Sequence, residues 1–207
     1  MKRRRAMQLI GMSAAIFPQI GRVTVEATTF SVLLDIPVAQ EIAQSIATIM
    51  ATAIGDSAII QQIGTFAGDA ISCLETIKSI LRDYRDDPSK TPPASLSLLD
   101  KEVARFTQDL LSIQNSVTLF AANVQKGVGV CVTNLQTVLL GIVAIIPTNK
   151  VSLFPQTTLM VQQQGRTLGN IQATIPTPRH LAQVFNRGIT ASGYPQARVH
   201  TGFWPPL

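Results

Sequence analysis

The side chains able to do chemistry are few and far apart. His180 and His200 are the only histidines in 207 residues, and the last acidic residue, Asp109, lies well upstream of both. A general base needs a positioned partner that sets its orientation and pKa, and neither histidine has one nearby in sequence. Cys73 and Cys131 are the only cysteines; with both histidines far downstream they form no metal-ligand spacing. No glycine-rich loop ending in Lys and Ser or Thr offers phosphates a cradle. The residues therefore point away from an enzyme and imply no cofactor and no metal.

What remains is charge. The chain carries a formal net charge of +5, yet its acids all fall between Glu26 and Asp109. Beyond Asp109 the charged residues are Lys126, Lys150, Arg166, Arg179, Arg187 and Arg198. Four of these arginines (Arg166, Arg179, Arg187 and Arg198) share the last quarter of the chain with Tyr194, Phe203 and Trp204, a basic, aromatic-bearing tail suited to binding a partner. The favoured partner is another protein subunit or a second copy of the chain, whose acidic residues Asp83, Asp86 and Asp87 offer a complement. An anionic membrane surface ranks second. Nucleic acid ranks last, because the basic residues are dispersed along the tail rather than clustered.

Two long apolar seams must position this tail. Ile42, Ile46, Ile49, Ala53, Asp56, Ile60, Ile63, Ala67, Ala70, Leu74, Ile77, Leu81 and Tyr84 follow alternating steps of four and three, the repeat of a helix packed along a partner helix. Leu99, Val103, Phe106, Leu110, Ile113, Val117, Phe120, Val124, Gly127, Cys131, Asn134, Val138, Gly141 and Ile145 keep the same spacing. Between them, Pro88, Pro92 and Pro93 interrupt helical geometry, with Ser97 a candidate N-cap for the second helix. The expectation is an all-α chain built on a long antiparallel, coiled-coil-like hairpin. In that register Asp56, the one charged residue of the first seam, falls opposite Gly127 and beside Lys126, so an Asp56–Lys126 structural pair is expected; the alternative is that Asp56 tilts to solvent at a kink. Cys73 and Cys131 fall roughly 30 Å apart along the pair, too far for a disulfide. Apolar residues off the seam, among them Ile80, Val128, Val132, Leu135, Leu139 and Ile142, predict that a second helix face is covered.

The ends differ from this middle. Residues 1–30 open with Lys2, Arg3, Arg4 and Arg5 and an uncharged run from Ala6 to Phe17, a composition that fits a targeting segment or a basic arm. Arg3-Arg4-Arg5-Ala6-Met7-Gln8-Leu9-Ile10 resembles a bacterial twin-arginine export signal, which implies the cell envelope or periplasm; without export, a virion or an organellar complex is the expected setting. Residues 31–146 form the hairpin, and 147–207 the proline-interrupted tail. In the tail, Thr157–Gln163 and Thr167–Ile175 could pair as a small β-hairpin around Gly165. Thr177, Pro178 and Gly188 bracket a short helix, and the chain after it reads as an extended arm. The expected function is a non-enzymatic structural or assembly subunit of a cell-envelope machine or virus particle. Two alternatives stand beside it: a membrane-active helical protein that inserts its apolar second helix, and an accessory subunit of an exported enzyme complex.

Overall fold

The computed structural model describes residues 17–87, 89–145 and 176–202, with side chains from Ser31 onward. Among these the protein is helical: α1 (Phe17–Met50), α2 (Ser57–Asp86), α3 (Pro93–Ser116), α4 (Ala122–Ile145) and α5 (Pro178–Ala191), with short 3-10 turns at Val117–Leu119 and Pro195–Ala197. The basic residues Lys2 to Arg5, the candidate β-hairpin, Arg166, Phe203 and Trp204 lie outside the described residues.

Each expected long helix is divided by a turn. The first seam breaks at Ala51–Asp56, where α1 stops and α2 folds back along it. Gly55 lowers helical propensity there, and Asp56 begins the new helix as its N-cap, accepting from the Ala58 amide at 2.8 Å. The second seam breaks at Val117–Ala121, between α3 and α4. The two breaks lie at one end of the molecule, because Gly55 sits against the Phe120 ring. Packing runs from α1 to α2, α2 to α3, α3 to α4, and α4 back to α1. Four helices in a ring thus replace the expected pair.

The seam residues nevertheless face the core. Ile42, Ile46, Ile49, Ile63, Leu74, Ile77 and Leu81 on the first seam are fully buried, as are Val103, Phe106, Ile113 and Cys131 on the second. Burying each large aliphatic side chain contributes about 1.5–3 kcal/mol, so both seams hold the bundle despite their interruptions. The link between α2 and α3 spans Asp87–Pro92, and Pro93 opens α3 at its first position. α3 therefore starts four residues before the expected Ser97 cap. Arg105 reaches from α3 to Asp69 on α2 at 3.0 Å and ties the two helices on their outer side.

The covered second face is that of α4. From Val138 to Ile145 every residue is buried, and Val128, Val132 and Leu135 are buried too. α1 packs against one side of α4, and α5 packs against both. Ser31–Met50 and Ala122–Ile145 are each long and apolar enough to cross a bilayer, yet most of each is buried inside the protein; a core helix meets the same criterion. Cys73 and Cys131 are both free and buried, and burial pushes the Cys73 thiol up to about 12, so neither is a reactive thiolate at neutral pH.

Candidate functional site

Residues 176–202 of the tail fold onto the bundle instead of extending from it. Thr177 caps α5 by accepting from the His180 amide, and Pro178 occupies the first helical position. Gly188 is not the C-terminal stop. It lies within α5, where an added Cβ would meet Val130 Cγ1 of α4 at 3.0 Å, so its missing side chain lets the two helices approach. The stop is Gly193, with φ at +89°. Its amide donates to the Thr190 carbonyl and the Tyr194 amide to Ile189, the paired bonds of a Schellman ending.

After that stop the chain is fastened at several points. Tyr194 is buried, its ring covers Gly127 of α4, and its hydroxyl accepts from Asn123 Nδ2 at 3.1 Å. It is thus part of the core and not an exposed partner contact, contrary to the sequence expectation. Ser45 Oγ of α1 donates to the Ala197 carbonyl at 2.8 Å, and the His200 amide donates to Glu41 Oε2 at 2.7 Å. Asn186 holds the strand-like stretch from the other side. Its Nδ2 donates to the Val199 carbonyl at 2.9 Å and its Oδ1 accepts from the Val199 amide at 2.8 Å, all within the interior.

This fastening brings three arginines together. Arg179 and Arg187 stand on the outer stripe of α5 with Gln183 between them and Thr190 beyond, and with the buried Asn186 and with Arg198 and Thr201 of the following segment they line an open groove of about 760 Å³. All three arginines are exposed. Among the described residues the ion pairs are Arg85–Asp86, Lys90–Asp87 and Arg105–Asp69, none of which engages the groove. Three guanidinium groups on one concavity without a carboxylate attract anions, and each presents a planar fork matched to carboxylate or phosphate oxygens. The dispersal of these residues in sequence is an effect of counting along the chain: α5 places Arg179 and Arg187 two turns apart on one face, and the Asn186 clamp adds Arg198.

Replacing Asn186 with alanine tests that clamp. The substitution leaves the buried Val199 amide and carbonyl unpaired, a loss of about 1–3 kcal/mol. Limited trypsin digestion followed by intact mass should show faster cleavage after Arg198 than in the wild type; unchanged cleavage would mean that Asn186 does not hold the segment.

The other expected pair is not formed. Asp56 spends its carboxylate on the α2 N-terminus, and both Asp56 and Lys126 are exposed. The helix break accounts for this, since it turns Asp56 out of the seam and offers it backbone donors. His180 and His200 are exposed at opposite ends of the tail segment. No group of three or more metal-ligating side chains occurs among the described residues.

Two buried carboxyls that each leave an oxygen without a hydrogen bond among the described residues, Asp35 and Asp109, escaped the sequence reading. Asp35 on α1 is 1% exposed, its Oδ1 has no hydrogen-bond partner among the described residues, and burial raises its carboxyl to about 8. Asp109 on α3 is raised to about 6 by burial and by the neighbouring Asp69. Asp35 precedes the first seam as counted from Ile42, so no periodicity drew attention to it. No family model, no curated protein and no solved structure matches this chain.

Proposed function

We propose that the protein is a non-enzymatic subunit of a larger assembly, in which the helical body is a scaffold and the groove on α5 holds an anionic partner. The observation that carries this reading is the convergence of Arg179, Arg187 and Arg198 in one groove with no paired carboxylate among the described residues. A second feature supports assembly. Ile54 and Leu119, at the end where the two turns meet, are 96% and 71% exposed, and apolar side chains left in water at one end of a bundle favour packing against another molecule.

The preferred partner is a separate molecule rather than the acidic residues of a second copy. Around the α2–α3 link, Arg82, Arg85 and Lys90 match Asp83, Asp86 and Asp87 in number. Lys90 lies 2.9 Å from Asp87 and Arg85 lies 2.8 Å from Asp86. That end is balanced, and offers the groove little net attraction.

Native mass spectrometry of the protein purified from its source tests the proposal. The expected result is a stoichiometric complex at low salt that dissociates as ionic strength rises and is absent when Arg179, Arg187 and Arg198 are all alanine. A bare monomer for both forms would overturn it.

A further inference from the structure

We infer that the anion taken by the α5 groove is the sugar–phosphate backbone of a nucleic-acid strand, bound without reading its bases. This rests on the anion-binding reading above and adds the identity of the ligand.

The groove is long enough for several charges. Arg179 and Arg187 are eight residues apart on one stripe of α5, about 12 Å along the helix axis, and Arg198 lines the same groove. A lone phosphate or carboxylate would meet all three only if their side chains converged on it, whereas a chain of regularly spaced charges can meet each where it stands. Its composition also suits a sugar–phosphate chain. Apart from Ala191 and the buried Asn186, whose amide is committed to Val199, the lining is Arg, Gln and Thr, side chains that commonly contact phosphate and sugar oxygens. The core of a protein–protein interface is rich in apolar and aromatic anchors within a polar rim, and no aromatic or large aliphatic side chain lines this groove. The charges are all guanidinium groups, which favours the bidentate pairing phosphates accept. The groove's own lining offers bases no stacking surface. Tyr194 is buried against Gly127 with its hydroxyl bonded to Asn123, and Phe185 is fully buried, so neither aromatic among the described residues of the tail can stack on a base. Binding is then electrostatic and indifferent to sequence.

Fluorescence anisotropy with a labelled single-stranded dT20 oligonucleotide, titrated across a salt series, tests this on the full chain. Poly-L-glutamate serves as a competing polyanion without phosphates. The three arginines are exposed, so a variant with all three changed to alanine should keep its fold, checked by circular dichroism. Wild type should bind the oligonucleotide, and the slope of log K against log salt should be steeper than that of the triple variant by about 2, the value for three phosphate contacts on a single strand. A K2A/R3A/R4A/R5A variant should retain that groove-dependent share. Equal slopes for wild type and the triple variant would overturn the inference by placing any binding elsewhere. Arginine-dependent binding of poly-L-glutamate without binding of dT20 would overturn it too, while leaving the assembly reading with an acidic protein as partner. Failure of both polyanions to bind would remove both readings.

Discussion

Changing Asp35 to leucine is expected to raise the melting temperature by about 10 °C at pH 8 and by much less at pH 4, taking about 2–4 °C per kcal/mol for a chain of this size. Asp35 is 1% exposed and its carboxyl sits at about 8 in the folded protein, against about 3.9 in an unfolded chain. The folded state therefore holds a proton that the unfolded state releases. Below about pH 4 both states are protonated, and the carboxyl costs only its unpaired polarity. As pH rises from there to about 8, unfolding gains the freedom to ionise, and stability falls. The loss is on the order of 5–6 kcal/mol once the folded pKa is passed. Asp109, raised to about 6, adds a smaller loss of the same sign over pH 4 to 6. Thermal melts of the wild type, Asp35→Asn and Asp35→Leu between pH 4 and 9 would decide the matter. Asparagine should flatten most of the decline without adding stability in acid, and leucine should flatten it and add stability. A wild-type melting temperature that climbs from pH 4 to 8, unaltered by either substitution, would show that Asp35 finds a partner for its charge.

The unequal legibility of the chain has a physical origin. A heptad count reports which residues turn inward, and it did so on both sides of each break: every residue of the second seam from Leu99 to Ile145 is buried. The count cannot report that the helix stops, because the turn at Val117–Ala121 happens to keep Val117, Phe120 and Val124 in phase. No glycine or proline marks that turn. The first break was better signposted, since Gly55 followed by Asp56 and Ser57 is a helix-start signal before an apolar run; the in-phase Ala53 and Ile60 concealed it. The groove followed the same logic. Arg179, Gln183 and Arg187 are spaced for one helix face and were readable as such, whereas Arg198 joins them through long-range bonds, those of Asn186 to Val199 and of Ser45 to Ala197. Long-range fastening of that kind leaves no periodic trace.

Truncating Phe106 to alanine should cost about 3–5 kcal/mol, near the largest loss expected from any single apolar truncation here. Phe106 is fully buried and is among the largest fully buried side chains of the core. It lies on α3, the helix that packs against α2 on one side and meets α4 beyond the turn on the other. Interiors are packed to crystal-like density, so neighbours held on separate helices cannot all move in to fill the space. The control is Ile54→Ser: Ile54 belongs to the same apolar class but is 96% exposed at the α1–α2 turn, and exposed substitutions usually lie within about 0.5 kcal/mol of neutral. Urea titrations of both variants should show a much lower midpoint for Phe106→Ala and almost no change for Ile54→Ser, with similar slopes. The opposite ranking would mean that the exposed turn end, and not the α3 seam, is the protein's main apolar contact, as when Ile54 is buried in a stable oligomer. The pair of variants therefore separates the packing that folds the single chain from the packing that joins it to others.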